Sequence, residues 1–407
     1  MEKKTLLIAT LVLMPLLSIA AGGSLINWVE ANFTPLPELP RPIYIRNDGS
    51  IDPPLAPLRR IGEVYTFTGN INNTIEVQRS NVMIDGNGFT LTKPSINTEG
   101  LLIPTGWLPG VHVKDISNVT ITNIAFKGCV TGVTVENSSN IIIKHNVIRE
   151  TWVGIVISAA SYVSIINNEI VLMDCSFASG IVFFPSSPQE SVPHHIKIEA
   201  NYIVGNGQEV PNVAPQPEQY GIWGGFSFSE MTKNTLTNIK GIALYNIGVN
   251  NRIVRNNFQH NYEGILININ PEVWFNNFIY GNNFNHNSEN VVIGFIRNSP
   301  RNFWDNGTIG NFWSDYEGKD ADGDGIGDTP YRIDTNNVDR NPHMVPFNIE
   351  ITPVELPNRE TAPTSPTASQ SEAQPFALPS AVAVVFAAAA LVVTASACLL
   401  AYFKRHK

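Results

Sequence analysis

The chain has 407 residues, of which 43% are hydrophobic, 15% are charged and three are cysteines. The formal net charge of −9, with no basic run inside the central repeats, excludes nucleic acid as the expected partner. Three cysteines are too few for a disulfide framework. Cys129 and Cys175 are therefore expected either to pair across adjacent coils or to pack as small buried side chains.

The first segment has the pattern of a secretory address. The charged start Met1–Lys4 precedes an apolar run, Thr5–Ala21, that ends in small residues. This pattern predicts a signal peptide over residues 1–21, with an uncleaved anchor as the alternative. We expect residues 22–63, which contain several prolines, to lead into the following region and cap it.

Between Val111 and Phe295 the chain repeats one short phrase at spacings of roughly 20 to 26 residues, with one interval near double that, and we expect the repeats to build a domain over residues 64–297. Each copy has an apolar–x–apolar run, an asparagine, and a glycine followed by an aliphatic residue. Runs such as Val119–Ile121 and Ile141–Ile143 alternate with period two, which is typical of short strands with one face inward. The repeat predicts an all-β fold, a right-handed single-stranded parallel β-helix (a solenoid), with three short strands per coil.

The repeated asparagines and glycines are expected to serve the coils themselves. Asparagine tolerates the left-handed backbone conformation, and stacked asparagine side chains can form a hydrogen-bonded ladder. The repeated asparagines include Asn146, Asn168, Asn201 and Asn256. Glycine, as in Gly154-Ile155, is expected to make turns because it lacks a β-carbon. We therefore predict structural roles for these residues and no ligand contact.

Residues 298–350 interrupt the repeat and are rich in Trp, Phe, Asp and Gly, which predicts a C-terminal cap. Inside it, one stretch resembles the first nine positions of a calcium loop, with Asp320, Asp322, Asp324, the carbonyl of Ile326 and Asp328 as the predicted ligands. Tyr331 stands where such loops have a glutamate, so we expect Asp334 or Asp339 to complete the site. The predicted calcium would have a structural role.

The last part of the chain has the pattern of a membrane attachment. Residues 351–380 are rich in Pro, Thr and Ser and predict an extended stalk. Residues 381–403 are apolar and long enough to span a bilayer, and the basic residues 404–407 predict a cytoplasmic tail; a GPI-type tail is the competing interpretation. Together these segments predict a single-pass cell-membrane protein with most of its chain extracellular. Glycosylation sequons on the exported side occur at Asn32, Asn72, Asn118, Asn137 and Asn306.

Several phrases resemble archaeal NosD-like right-handed β-helix proteins. They are Ile43–Ser50, Val64–Ile71, Ile84–Gly88, Asn311–Tyr316 and Asp322–Tyr331. The resemblance covers roughly residues 40 to 347. It implies the β-helix fold with carbohydrate-binding and sugar-hydrolase type repeats, and the NosD name implies a role in maturing a copper enzyme.

Aromatic residues that follow the longest insertion or stand two residues before a repeated Gly-Ile are the candidate ligand-binding residues, because flat rings stack on sugar faces; packing of the rings between insertion and coil is the alternative. They are Trp152, Tyr220, Trp223 and Tyr262. The carboxylates of the coils, such as Glu136 and Glu169, are scattered in sequence and give no catalytic pair. His194 and His195 are adjacent on an expected strand and should point to opposite faces, which argues against a shared metal.

These observations favour a cell-surface protein for recognition or structure that binds a polysaccharide or surface glycan without cleaving it. The alternative is a polysaccharide lyase or glycoside hydrolase whose carboxylates meet from neighbouring coils. A copper-enzyme maturation role is the third hypothesis, although the chain has no Cys- or Met-rich cluster.

Overall fold

The computed structural model describes residues 41–92, 95–98, 101–104, 109–175, 177–185, 192–205, 219–245, 248–267, 276–294, 301–350 and 354–357. Within these ranges every regular element is a β-strand. In chain order the strands are β1 Ile43–Ile45, β2 Ile51–Asp52, β3 Leu58–Ile61, β4 Val64–Phe67, β5 Ile71–Asn72, β6 Ile75–Val77, β7 Val82–Asp85, β8 Thr90–Thr92, β9 Ser95–Thr98, β10 Leu101–Pro104, β11 Val111–Lys114, β12 Ser117–Thr122, β13 Ala125–Lys127, β14 Thr131–Glu136, β15 Ser139–Lys144, β16 Val147–Thr151, β17 Val153–Ser158, β18 Ser161–Ile166, β19 Glu169–Leu172, β20 Ser179–Phe184, β21 Lys197–Glu199, β22 Tyr202–Val204, β23 Tyr220–Trp223, β24 Glu230–Thr232, β25 Thr235–Thr237, β26 Ile242–Tyr245, β27 Arg252–Val254, β28 Asn257–Gln259, β29 Glu263–Ile267, β30 Phe278–Tyr280, β31 Asn283–Asn285, β32 Glu289–Ile293, β33 Phe312–Trp313, β34 Tyr331–Arg332 and β35 Val338–Asp339.

Three long sheets run side by side, and the chain visits the first, second and third sheet in turn. Their strand orders are β2-β1-β6-β11-β14-β17-β20-β23-β26-β29-β32, β3-β4-β7-β12-β15-β18-β21-β24-β27-β30, and β33-β31-β28-β25-β22-β19-β16-β13-β8-β5. Apart from the hairpins β1–β2 and β3–β4, the pairing within these sheets is parallel, as between Val119 and Ile141 and between Ile141 and Val163. In the described residues each coil takes one strand from each sheet, from coil 1 (β1, β4, β5) to coil 9 (β29, β30, β31), and β32 and β33 belong to a tenth coil. The predicted parallel β-helix with three strands per coil is confirmed.

Alternate residues of each strand point into the coil and build the core. Inward columns keep the same position from coil to coil, as in Ile121, Ile143 and Ile165, which are paired in register and fully buried. Each such side chain contributes about 1.5–3 kcal/mol of burial free energy. The branched residues that favour strands are therefore also the ones that fill the interior.

A ladder of buried asparagines occupies the corner between the second and third sheets. In each rung the Nδ2 of one asparagine donates to the Oδ1 of the next coil's asparagine at 2.9–3.0 Å, through Asn146, Asn168, Asn201, Asn234, Asn256, Asn282 and Asn311. Each Nδ2 also donates to a backbone carbonyl of the interior, such as that of Ile165 for Asn201. The predicted ladder is confirmed, and it satisfies corner backbone groups that the strands leave unpaired.

The repeated asparagines and glycines have backbone conformations that differ from those predicted. None of these ladder asparagines has a positive φ; the residue before each one from Asn146 to Asn282 does, for example His145 at +52° and Asn167 at +49°. The repeated glycine does not make a left-handed turn either. A β-carbon at Gly154 would lie 2.5 Å from the carbonyl oxygen of Gly180 in the next coil. Glycine is needed because two coils approach closely, and the expectation of a turn was wrong.

The two ends of the solenoid are closed differently. The coils begin at Ile43, inside the segment expected to be a lead-in, and the hairpin β3–β4 lies at the edge of the second sheet. At the other end, stacked rings continue the interior through Phe258, Phe284, Trp313 and Tyr331, with ring centres 4.1–5.2 Å apart. The last parallel strand, β33, lies beyond the expected boundary at residue 297.

Other sequence predictions concern residues that lie partly or wholly outside the described ranges. The signal peptide, the sequon at Asn32, the apolar segment 381–403 and the tail 404–407 lie outside the described residues, as does nearly all of the stalk. In the described ranges, no helix has the length and apolar character needed to span a membrane. Cys129 and Cys175 form no disulfide with each other, and Cys129 is buried.

Candidate functional site

The acidic loop of the cap folds around the carboxylate of Asp320. Its Oδ1 accepts the backbone N–H of Gly323 at 2.7 Å, and its Oδ2 accepts that of Gly325 at 2.9 Å. These backbone donors, Gly325 first, hold the pKa of Asp320 below its ordinary value. Carboxylate oxygens of Asp320, Asp322 and Asp324 lie within 4.8 Å of one another. The loop thus brings three hard oxygen ligands to one place.

The other predicted positions of the loop lie close by in sequence but have separate contacts. Asp328 accepts the backbone N–H of Ala321 at 2.9 Å, which closes the loop on itself. Ile326 forms an isolated antiparallel bridge with His343. Of the predicted ligands, the structure groups Asp320, Asp322 and Asp324.

The residues considered for completing the loop serve the end of the solenoid instead. Tyr331 stacks on Trp313 with ring centres 4.1 Å apart. Asp339 is fully buried and accepts the backbone N–H of Asn311 at 2.7 Å and the indole N–H of Trp313 at 2.8 Å, so it terminates the asparagine ladder. Asp334 accepts hydrogen bonds from Asn337. The expectation that Asp339 completes the calcium loop was wrong, because its carboxylate is committed to the interior.

Two of the predicted aromatic residues lie together on the outer face of the first sheet. Tyr220 and Trp223 are on β23, with ring centres 6.2 Å apart. Tyr245 of the next coil lies 5.7 Å from Tyr220, and Phe184 of the previous coil meets Trp223 edge-on at 5.1 Å. The four rings form a partly exposed aromatic cluster.

Trp152 and Tyr262 occupy equivalent corners but do not meet. Trp152 lies between β16 and β17, at the end of coil 4, and Tyr262 lies between β28 and β29, at the end of coil 8. Four coil spacings of about 4.8 Å separate them along the axis. Trp152 and Tyr262 therefore lie at two separate positions along the coil stack.

A groove on the second sheet was not predicted from the sequence. It has a volume of about 460 Å³ and is lined by Asn118, Thr120, Asn140, Ile142, Tyr162, Ser164 and His195. Its floor is the in-register outer row Thr120, Ile142 and Ser164 of coils 3 to 5. The lining offers amides, hydroxyls and aromatic edges but no carboxylate, lysine or arginine. Tyr162 is 54% exposed.

The wall of this groove is a column of residues with left-handed backbone. Tyr162 and His195 have φ of +55°, and Phe228 has φ of +51°. Their rings stack along the axis, Tyr162 on His195 at 4.8 Å and His195 on Phe228 at 6.2 Å. Bulky residues are rare in this conformation, so these positions favour side chains that gain something in return. In other coils the same column holds asparagines such as Asn140.

His194 and His195 do not point to opposite faces as expected. Their Nδ1 atoms lie 2.7 Å apart, because the left-handed backbone at His195 breaks the strand alternation. Aligning the repeats on their inward residues would have revealed the column, since Ser139-Asn140-Ile141 and Ser161-Tyr162-Val163 have the same pattern.

A second polar group that the sequence did not reveal lies on the outer face of the first sheet. The Nδ1 of His112 is 2.7 Å from the Oε1 of Glu76, and its Nε2 is 3.6 Å from the Oε1 of Glu136. Lys114 pairs with Glu136 at 3.1 Å. Burial lowers the pKa of His112, but the hydrogen bond and charge of Glu76, with the charge of Glu136, outweigh burial and raise the pKa overall. Neighbouring coils therefore do bring carboxylates together.

Two family models match the chain. One, described as "Right handed beta helix region", matches residues 65–229. The other, described as "Periplasmic copper-binding protein (NosD)", matches residues 194–318. No curated protein matches the chain.

Solved structures with a similar fold include two enzymes and an adhesin. Pectate lyase C from Erwinia chrysanthemi is 14% identical over 57% of this chain, with a TM-score of 0.32; the match spans 63% of the lyase chain. PfbA, a surface adhesin of Streptococcus pneumoniae, is 11% identical over 57% of this chain and 70% of its own, with a TM-score of 0.31. Polygalacturonase from Erwinia carotovora ssp. carotovora is 12% identical over 63% of this chain and 79% of its own, with a TM-score of 0.30. With its three parallel sheets and the two family matches, this chain is a parallel β-helix protein with a NosD-like region at residues 194–318.

Proposed function

We propose that this protein binds a saccharide outside the cell, through the groove on the second sheet, without cleaving it. The observation that carries the proposal is the lining of the groove. The amide of Asn140 and the hydroxyls of Thr120 and Ser164 can exchange hydrogen bonds with sugar hydroxyls, and the exposed ring of Tyr162 offers an apolar contact. The lack of acidic and basic residues in the lining favours a neutral glycan.

Export is supported by the signal-peptide pattern and by the periplasmic family description that matches residues 194–318. The predicted stalk and apolar segment at residues 351–403 would attach the protein to its membrane. The described sequons, such as those at Asn137 and Asn306, have exposed asparagines, which fits an exported glycoprotein.

The proposal is tested on a glycan array, followed by calorimetry on the ligands found. Tyr162→Ala should weaken binding about tenfold, since an aromatic contact contributes about 0.5–1.5 kcal/mol beyond its buried area. Phe278→Ala is a matched control, because Phe278 is also an exposed ring on the second sheet but lies outside the groove. Trp223→Ala tests the aromatic cluster of the first sheet. If Trp223→Ala abolishes binding and Tyr162→Ala leaves it unchanged, the groove is not the site.

An enzyme is the second candidate, and the group around His112 is the observation that favours it. Glu76 orients the imidazole through Nδ1, and the other nitrogen, Nε2, is buried beside Glu136 without a hydrogen bond. An imidazole oriented by a carboxylate is suited to proton transfer. A polysaccharide lyase or hydrolase reaction at this place requires a glycan bound on the first sheet, away from the groove, and predicts new reducing ends from that glycan. His112→Asn should abolish their release, and release that survives this substitution would rule out the mechanism.

The loop at residues 320–328 is proposed to bind calcium as a structural ion. The three converging carboxylates and the glycines Gly323 and Gly325, with φ of +76° and +87°, fit a tight oxygen-rich loop. Copper is less well supported, because it prefers sulfur or imidazole ligands. Within the described ranges, the only trio of potential metal ligands that converges is formed by these aspartates.

A further inference from the structure

After the cap, the chain returns to the outside of the third sheet. The N–H of Phe347 donates to the Oδ1 of Asn283 at 2.8 Å, and the Nδ2 of Asn283 donates to the carbonyl of Phe347 at 2.9 Å. The guanidinium of Arg255 lies 4.6 Å from the centre of the Phe347 ring. Phe347 is thereby held against coils 8 and 9 by two hydrogen bonds and a cation–π contact.

The outer face of the third sheet is prepared for this contact. Asn283, Asn257 and Thr235 are outward residues on successive coils, yet each is buried. Asn283 donates to Asn257 at 2.7 Å, and Asn257 donates to Thr235 at 3.1 Å. This short outer ladder starts at the two hydrogen bonds to Phe347, so the same side chains stabilise both the sheet and the returning chain.

A second contact of the same segment lies near the opposite end of the solenoid. Gly88 is in the turn between β7 and β8 of coil 2, with φ of +79°. A β-carbon at Gly88 would lie 2.3 Å from the carbonyl oxygen of Pro357 and 3.4 Å from its Cβ. Pro357 therefore packs directly on a turn that has room for it only because residue 88 is glycine.

The distance between the two contacts matches the reach of the chain. From β31, which carries Asn283, to β8 there are seven steps in the third sheet, or about 34 Å at 4.8 Å per step. Ten residue steps lead from Phe347 to Pro357, and ten extended steps span at most about 33–36 Å. We infer that the described residues 347–350 and 354–357, here called the return segment, bring the chain from the C-terminal cap back to the first coils, and that the third sheet is their docking surface.

The docked return segment changes which end of the solenoid is expected to be attached. In chain order the cap at residues 298–350 stands next to the predicted stalk, so it would be the attached end. With Pro357 docked on Gly88, the described part of the chain ends beside coil 2 and not beside the cap. The acidic loop near Asp320 lies in the cap, so an anchor that follows residue 357 in the chain, as proposed above, would be joined to the first coils and not to the acidic loop.

Distances between spin labels test this directly in the full chain. Nitroxides are attached in two pairs, Glu355→Cys with Leu55→Cys and Glu355→Cys with Thr308→Cys, in a Cys175→Ser, Cys398→Ser background. Leu55 is 97% exposed and belongs to the N-terminal end, and Thr308 is exposed in the cap. We expect the distance to residue 55 to be the shorter one, by 20 Å or more on the scale of about 34 Å set by seven coils. A shorter distance to residue 308 overturns the inference.

Two glycine variants separate docking from backbone strain. Gly88→Ala should displace Pro357 and broaden the Glu355–Leu55 distance distribution. Gly128→Ala is the matched control, because Gly128 has φ of +67° but nothing within 4 Å of the position of a β-carbon. It should leave the distribution unchanged. Equal distributions for both variants and for the parent would show that Pro357 does not dock on residue 88. These measurements involve no glycan, so they stand or fall separately from saccharide binding.

Discussion

Replacing one interior asparagine tests how much the ladder contributes to stability. The side chain of Asn201 is buried and takes part in four hydrogen bonds: its Nδ2 donates to Ile165 and Asn234, and its Oδ1 accepts two from Asn168. Asn201→Ala removes all four and leaves the backbone N–H of Asn168 and the carbonyl of Ile165 without these partners. At about 1–3 kcal/mol for each buried group left unsatisfied, we expect the free energy of unfolding to fall by about 4 kcal/mol.

Urea denaturation followed by tryptophan fluorescence measures this loss. Asn140→Ala is the control, because Asn140 is an exposed asparagine at a left-handed corner, and its replacement should cost about 1 kcal/mol of backbone strain. Asn201→Asp adds a chemical test: a carboxylate would face the oxygens of Ile165 and Asn234 at neutral pH and should destabilise more than alanine. Equal losses for Asn201→Ala and Asn140→Ala would refute the reasoning that the ladder is a major source of stability.

Three further predictions concern the close approach of coils, a buried carboxyl group and the acidic loop. Gly154→Ala should destabilise by about 3 kcal/mol through overpacking against the next coil, whereas Gly128→Ala, in open space, should lose about 1 kcal/mol of strain, as measured by urea denaturation. Burial raises the pKa of Asp339 from 3.8 to about 6, against the opposing hydrogen bonds from Asn311 and Trp313. The folded state then binds more protons than the unfolded state between about pH 4 and pH 6. The free energy of unfolding of the parent, relative to that of Asp339→Asn, should therefore fall by up to about 3 kcal/mol as pH rises through this window. A difference between the two proteins that stays constant with pH would contradict the raised pKa of Asp339. A chelator should lower the melting temperature of the parent and leave that of Asp320→Ala unchanged. A melting temperature of the parent that is the same with and without calcium would contradict calcium binding by the loop.

The interior of the solenoid could be predicted from the sequence because it repeats. Ile143 and Asn146 recur as Ile165 and Asn168, and any residue with this period must serve the stacking of coils. The reasons for single residues were less accessible. Gly154 was interpreted as a turn, but its backbone is not left-handed, and the atom that excludes a side chain belongs to Gly180 of the next coil. Contacts between coils do not show in the local pattern.

The candidate sites were harder to predict because they break the repeat. Glu76 and His112 are 36 residues apart, with the hairpin β9–β10 between their strands, so no fixed spacing links them. Tyr162 and His195 are 33 residues apart and also fall outside a period of 22 residues. Pairing in register places the two residues of each pair on neighbouring coils, whatever the number of residues between them. Contacts across an insertion therefore cannot be predicted from residue spacing alone.

The asparagine ladder has a consequence for how such a fold can change. Its rungs are separated by 22, 33, 33, 22, 26 and 29 residues, yet every donor–acceptor distance is 2.9–3.0 Å. The distance between successive asparagines is thus independent of the number of residues between them, so the spacing of the coils at this corner stays constant. Loops of foreign origin could be grafted at the corners between Asn168 and Asn234, where the two longest intervals lie, without retuning the stack. The spacing of the coils can therefore be kept while the loops between strands change in length and sequence.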